Sequence, residues 1–489
     1  MSQRVVGVRL VGPEIDDAVR VQELTGRERI SELFDFELVL AAPASAKLDA
    51  AAMLGSEATI FFEIDGVVER RLHGMLVEVD DLAESEAPIR RVRVRFAPRL
   101  FRTTLVVTQE VFLDRSVPEI VTDKLALLSL DDAVELRLGH DYPKKEFVTQ
   151  YKESDLAFLS RLLEHEGISF FFEHDEERDA DVLVLTDHNG GFRAAARDVL
   201  DYRGRGERAD VFEARVEHRL RASTYIVQDY NYRKALLDLT ADEPIEGGFG
   251  GGIVEYGTHH RTPDEGKALA KIRAEEQRAE QLVVALETDR CDLTAGSRVA
   301  LHGHPTLGEL DLLVVEIRHE VRLSAFGSET QVRPYVAHVR ATPLDRAFRP
   351  PRKTPKPRIF GVVNGLIDDA QRHVDKYSQL DTEGRYIVRL LYDTADASGR
   401  LASQWIRMAQ PHAGPDYGMH FPLKPGVEVL LAFIDGDPDR PIIVGAVPNP
   451  VTPSPVDQRS NTLNRIKSAS GVIIEIGDRR LSTKGSIGG

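Results

Sequence analysis

Residues 429–449, VLLAFIDGDPDRPIIVGAVPN, constrain the fold of this chain more than any other stretch, because they set two apolar strands around one highly specific turn. Residues 429–434 read as a strand, 435–440 as a polar turn opened by Asp435, Gly436, Asp437 and Pro438, and 441–447 as the returning strand. An acidic turn can also hold calcium. A calcium loop, however, needs an alternating series of oxygen ligands and a distal bidentate glutamate, and this turn has neither, so it reads as structural.

Composition places this hairpin in a large water-soluble chain. Its 489 residues suffice for about three or four domains by the usual length prior. The single cysteine, Cys291, excludes an intramolecular disulfide framework, fits a reducing compartment, and reads as a small buried hydrophobe. The opening run MSQRVVGVRLVG lacks the long apolar core and cleavage site of a secretory signal. No apolar run approaches the roughly 18–20 residues of a membrane span, so stable membrane insertion is not expected. The formal charge, 63 − 79 = −16, argues against a nucleic-acid binder, because phosphate-binding surfaces need clustered Lys and Arg. The one basic run, residues 349–358, carries four prolines and makes a better linker than a binding helix.

That linker, taken as 351–358, divides the chain. Residues 1–350 show strand-like alternation broken by a few capped helices, and 359–448 read as a compact all-β module. Ser116, Pro118 and Glu119 open one helix with a capping box, and Thr262, Pro263 and Glu265 open another that should reach about residue 281. Ser154 caps a third, Asp155 complements its dipole, and Leu156, Leu159, Leu162 and Leu163 form its apolar stripe before Gly167 ends it. A strand at 168–172 follows at once. Further on, a turn at Gly296, a strand ending at Leu301 and a strand 312–317 precede Arg318 and His319.

Catalytic templates fail one by one. Glu164 and Glu166 lie two apart on a helix and diverge by about 200°, so they cannot share a substrate and read as solvated charges. His259, His260, His302, His304 and His319 are the densest histidines, yet no HExxH or comparable ligand set accompanies them. No G-x-S-x-G is present. Residues 247–252, GGFGGG, lack the Gly-Lys-Ser/Thr of a phosphate loop and read as a flexible surface loop. Trp405 lies between apolar neighbours in a strand-like run and reads as a packing residue rather than a stacking platform. No catalytic, metal or cofactor site is expected.

The segment 465–478 places Val472, Ile474 and Ile476 on one strand face, a face that a lone short strand cannot hide.

The words around the opening hairpin resemble the OB-fold module of VgrG proteins, the spikes of type VI secretion systems and relatives of phage tail hubs. Asp381, Gly384, Arg385 and Val388 match the first motif; Trp405, Arg407, Ala409 and Gln410 the second; Ala413, Gly414, Gly418, Phe421 and Pro422 the third. Pro425, Gly426, Glu428, Val429 and Phe433 then lead into the DGDP turn. Leu423-Lys424-Pro425 stands where an arginine-bearing variant is usual, which puts a role for that arginine in doubt but not the module. Residues 147–172 resemble the tail-hub half of the same family, and 465–478 resemble the start of its three-chain β-helix needle, with Ile466 joining the needle core.

The resemblance implies a mainly β fold with a few helices. Residues 1–350 become a tail hub of two similar barrels with helical insertions, 359–448 an OB-fold barrel, 449–460 a connector and 461–489 the start of an intertwined needle. It implies no covalent chemistry and no cofactor. The implied partners are two further copies in a homotrimer, an inner-tube protein of hexameric rings, baseplate proteins, a PAAR-like tip protein and, in some relatives, effectors. Assembly in a bacterial cytoplasm and ejection by contraction follow from the same resemblance. The spike of an extracellular injection system or phage tail fits it too, and so does either a naturally blunt needle or a chain cut at Gly489. A spike-borne cell-wall hydrolase needs a catalytic domain, and a carbohydrate-binding module needs exposed aromatics.

Overall fold

The computed structural model describes residues 6–43, 45–46, 48–82, 89–203, 210–323, 335–368, 377, 379–395 and 401–478. The chain forms two compact units, one of Met1–Val107, Ser116–Lys144 and Glu153–Lys356, the other of Thr108–Arg115, Lys145–Lys152 and Pro357–Gly489.

The first unit is built on a twelve-stranded sheet. Six strands come early: β1 Val6–Val11, β2 Arg20–Arg29, β3 Asp35–Pro43, β4 Glu57–Ile64, β5 Val67–Asp81 and β6 Ile89–Ala97. Six come late: β7 Ala194–Asp201, β8 Val211–His218, β9 Leu282–Thr288, β10 Arg298–His304, β11 Gly308–Arg322 and β12 Tyr335–Pro343. The early set pairs in the order β1-β4-β5-β6-β3-β2, and the late set repeats that order as β7-β10-β11-β12-β9-β8. Each set is one module.

Even the irregularities repeat. The long strands β5 and β11 both run 15 residues, and each slips register against its neighbour, near Leu76 in one module and Val314 in the other. Matching shifts at β2–β3 and β8–β9 strengthen the parallel, since a bulge re-aims side chains and is a built feature of a sheet. One pairing departs from it: β1–β4 is antiparallel and β7–β10 parallel. Strands β2 and β11 pair and so join the modules into one sheet. Alternation supplies the core, with Phe36, Leu38 and Leu40 of β3 and Phe96 of β6 buried.

Helices fill the two long excursions. Helix α1, Val117–Ala126, has both halves of its capping box formed by Ser116 and Glu119. Helix α2, Asp155–Glu166, is capped by Ser154 and ends at Gly167, and Phe158 joins Leu159, Leu162 and Leu163 in its buried stripe while Leu156 is only half-buried. Asp155 does more than face the dipole, because it forms a buried ion pair with Lys124 at 3.0 Å that ties α2 to α1. Helix α3, Pro263–Ala279, is capped by Thr262, but the Glu265 carboxylate reaches Arg261 N (2.7 Å) rather than closing a box on Thr262. The strand expected at 312–317 is much longer, and Arg318 and His319 lie inside it rather than after it.

One correction concerns a charged residue of helix α2. Glu164 is not a solvated charge: it is buried, and its carboxylate accepts from Lys353 N (3.0 Å), Thr354 N (2.9 Å) and the Thr354 hydroxyl (2.9 Å). Sequence spacing could not show this, since the partners lie nearly 190 positions away. The basic run is likewise fastened up to Lys356, with Arg352 donating to Glu255 (2.7 Å) and to the Tyr225 hydroxyl (2.6 Å). Residues 247–252 are tied to the chain, Phe249 N donating to Arg221 O at 3.0 Å.

The second unit contains a four-stranded sheet of β13 Val363–Ile367, β14 Val388–Leu390, β17 Glu428–Phe433 and β18 Pro441–Ala446, in the order β14-β13-β17-β18. The unit also holds two short pairs, β15 Ala413–Gly414 with β16 Tyr417–Gly418, and β19 Leu463–Lys467 with β20 Ile473–Gly477. Its core gathers Ile367, Val388, Ile406, Val429, Leu431, Phe433 and Ile443, but also Val111 and Phe147 from far up the chain. Those two come from 108–115 and 145–152, which are bridged at Arg115–Lys145 and held to the unit by Thr394 N on Gln109 O at 2.8 Å.

Candidate functional site

The DGDP turn works as a staple within the second unit. Phe433 ends β17, Asp435 takes a left-handed conformation (φ 54°), and Gly436 follows at φ 70°, where a side chain would be strained. The reversal is closed by Ile434 N on Arg440 O at 3.0 Å. Its polar groups are all engaged from outside the hairpin or across it. Asp435 pairs with Arg358 at 2.8 Å, Gly436 O accepts from Ile359 N at 2.8 Å, and Asp437 accepts from Asp439 N at 2.9 Å. Asp439 in turn accepts from Thr149 N at 2.6 Å, and the Pro438 carbonyl lies 3.4 Å from the Thr149 hydroxyl. The turn thus gathers the segment entering the unit and the inserted ribbon onto one hairpin.

Gly426 sits in a second turn, at φ 84°, between Pro425 and Val427, whose amide donates back to Lys424 O at 3.2 Å. That is the glycine position of a type II turn. Trp405 is half-buried; Ile406 beside it enters the core, and Met408 packs against it.

The hairpin β19–β20 is the most unusual surface of the molecule. Register sets Ile466 opposite Ile474 and Asn464 opposite Ile476, while Arg465 faces Glu475 and pairs with it at 2.5 Å. One face therefore carries the charge pair together with Ile473, and the other carries Ile466, Ile474 and Ile476. On that apolar face Ile466 is 49% exposed, Ile474 60% and Ile476 64%. Val472 falls one residue before β20 and is exposed as well. Residues 479–489 of the expected needle lie outside the described residues.

The histidines are absorbed by the first unit. His319 is fully buried: its Nε2 meets Glu28 at 2.8 Å, its Nδ1 meets the Tyr335 hydroxyl at 2.8 Å, and Arg70 closes the group on Glu28 at 2.8 Å. With an ionised Glu28 as acceptor, the imidazole carries a proton on Nε2. Burial pushes its pKa down, against the pull of the Glu28 carboxylate. Burial would raise Glu28, but the Arg70 charge and the His319 hydrogen bond win and hold it well below the usual carboxylate range. His260 bridges the Thr258 hydroxyl (2.8 Å) and Leu239 O (2.6 Å), and His304 accepts from Leu307 N at 3.1 Å. His259 lies 3.3 Å from Lys356 Nζ, and His302 is half-buried on β10. Burial also raises the Cys291 thiol, to about 12, so it is an inert core group. Glu28 and Arg70 gave no signal in sequence, because they join His319 only through strands paired across hundreds of positions, and Tyr335, 16 positions on, is brought to it by the register of the next strand.

Comparison with known proteins agrees with this architecture. Residues 27–325 match the family model described as the phage tail baseplate hub, and 377–447 match the type VI secretion system/phage-baseplate injector OB domain. Among curated relatives, the type VI secretion system spike protein VgrG5 of Pseudomonas aeruginosa is 32% identical over 88% of this chain and 55% of its own length. VgrG4b of the same organism is 31% identical over 92% and 57%. The chain therefore spans little more than half the length of these relatives. Among solved structures, the E. coli c3393 protein, a type VI secretion component, shares the fold at a TM-score of 0.68 with 22% identity, over 90% of this chain and all of that one. A chain of the Francisella PdpA–VgrG complex aligns at 0.64 with 10% identity, over 97% and 83%.

Proposed function

Because the chain belongs to the VgrG family of tail-hub and spike proteins, we propose that three copies assemble into the hub and spike of a contractile injection apparatus. The two six-stranded modules of each chain supply six similar units from three chains, a match for the sixfold ring of an inner tube stacked upon them. The hairpin β19–β20 begins the needle, with Ile466, Val472, Ile474 and Ile476 turned to the axis.

The carrying observation is the isoleucine face of that hairpin. Each of these side chains is about half exposed or more in a single chain, and covering it is worth about 1–2 kcal/mol. Two further copies supply the cover symmetrically. Light scattering on the purified protein should give three times 54.5 kDa. A stable monomer at micromolar concentration sinks the trimer.

The work is mechanical, so purified protein should not turn over peptidoglycan, phospholipid, nucleotide or peptide; activity abolished by a point substitution would overturn this. A PAAR-like tip protein caps the needle and effectors travel with it. Deleting 461–489 should abolish co-purification of the tip while the OB-fold core, none of whose residues lies there, stays folded. Equal recovery of the tip by both chains would place it elsewhere. A spike of this kind is made in the cytoplasm and leaves by contraction, and among the described residues no helix is long and apolar enough to cross a membrane.

A further inference from the structure

The two modules are joined at one place. Beyond the slip near Val314, β11 leaves β10 and pairs its second half, residues 316–322, with residues 23–29 of β2. Each module holds its own counterpart of these strands, because β5 corresponds to β11 and β8 to β2 in the shared order. The correspondence runs residue by residue. Gly55 N donates to Leu76 O (2.8 Å) and Leu76 N to Ser56 O (2.9 Å), as Gly296 N donates to Val314 O (2.8 Å) and Val314 N to Ser297 O (2.9 Å). Aligning the slips makes Glu78 of β5 the counterpart of Glu316, and Glu213 of β8 the counterpart of Glu23. Yet among the described residues no strand pairs with β5 beyond Met75 on its β4 side, or with the outer edge of β8 from Glu213 to His218. An open strand edge is a template for another chain.

These open halves expose what the junction buries. Ile30, just after β2, is buried in one cluster with Ala295 and Leu313, and its amide donates to Val315 O at 3.0 Å. The counterparts of those three are Leu220, 79% exposed, Leu54, 55% exposed, and Met75, half-buried. Glu316 is buried beside Arg27 (3.0 Å) and Arg29 (3.4 Å), whereas Glu78 and Arg219, the counterparts of Glu316 and Arg29, are exposed.

We infer that β8 of one copy pairs with the open half of β5 of a second copy, antiparallel and in the register of the β2–β11 junction. The inference deepens the trimer proposed above by naming its interface, and its occupant is fixed by a junction that the chain already makes within itself. One open half lies on each module, so the contact is head-to-tail and passes from copy to copy until a ring closes. In that register Arg219 faces Glu78, Leu220 reaches Met75 and Leu54, and the Leu220 amide meets the Val77 carbonyl. Asp80 falls opposite Glu217, as Arg318 falls opposite Arg27, with Arg215 and Arg219 on either side to balance it.

Two differently tagged full-length chains, one Asp80→Cys and the other Glu217→Cys, test this after co-expression and mild oxidation; the buried Cys291 does not compete. The two positions fall directly opposite in the inferred register, whereas residue 218 turns to the other face of β8, so Asp80→Cys with His218→Cys is the control. Disulfide-linked pairs carrying both tags should exceed same-tag pairs, and the mixed pairs of the control, at least tenfold. In parallel, Leu220→Asp, at a position exposed in the single chain, should raise the concentration at which the trimer dissociates at least tenfold. A trimeric particle without that register-specific excess, or whose dissociation Leu220→Asp leaves unchanged, overturns the junction and leaves the trimer standing. A wild-type monomer removes the trimer and the junction together.

Discussion

Glu28, Arg70, His319 and Tyr335 satisfy one another out of contact with water, whereas the hairpin β19–β20 leaves three isoleucines half or more exposed on a ribbon two strands wide. The first cluster gathers charges, which are costly to bury, and pairs them within one chain. The second gathers apolar groups, which gain from burial, and leaves them about half exposed or more among the described residues. A region that completes its own chemistry holds a shape, and the contrast is what the proposed trimer would explain.

The largest effect should come from opening the closed cluster. Arg70→Ala leaves Glu28 buried with only a neutral imidazole, and removal of one partner from a buried pair typically costs about 3–5 kcal/mol. Urea unfolding of the full chain measures it. A loss under about 1 kcal/mol would mean that water reaches the cluster, and the contrast with the hairpin would fail.

Acid sharpens the same contrast. An imidazole whose folded pKa is depressed favours the folded state while neutral, so the His319 contribution is full above about pH 6.5 and declines as pH falls from there toward its folded value. Glu28, also depressed, contributes above about pH 4.3 and is lost only at lower pH. Both terms have the same sign, and stability should fall by at most about 1.4 kcal/mol per pH unit for each titrating group. Burial lowers His73 too, so His319→Asn should flatten the slope between roughly pH 6.5 and 5 without abolishing it. An unchanged slope would show that His319 does not titrate there.

Local features were legible in the sequence because their partners are close in the chain. The caps at Ser116 and Ser154, the glycine stop at Gly167 and the DGDP reversal all fall where spacing put them. The mostly β fold, with its hub and OB modules, was legible through family wording. What sequence hid was made by register. The resemblance implied two similar barrels, but the strand order they share is set by pairing, which constrains alternation rather than identity. The burial of Glu164 under Lys353 and Thr354, and the use of Val111 and Phe147 in the OB-fold core, depend on contacts that no spacing rule reaches. A legible feature should still have a modest and local worth: Ser116→Ala, which removes half of the α1 capping box, should cost about 1 kcal/mol in the same urea assay.

The smallest effect on the fold of a single chain is also the most discriminating. Ile474 is 60% exposed, so Ile474→Asp should change the unfolding free energy of the chain by no more than about 0.5 kcal/mol. In the assembled needle the same substitution sets three carboxylates about one axis, where desolvation and mutual repulsion act together, and their protonation would be forced upward. The trimer should therefore be lost at neutral pH and partly recovered as pH falls toward the range where those carboxyls are neutral. Sedimentation of the variant at pH 7.5 and pH 5, beside its urea curve, separates the outcomes. An intact trimer at both pH values would put the isoleucine face away from the axis, and an unfolded chain would mean that the hairpin supports its own unit rather than its neighbours.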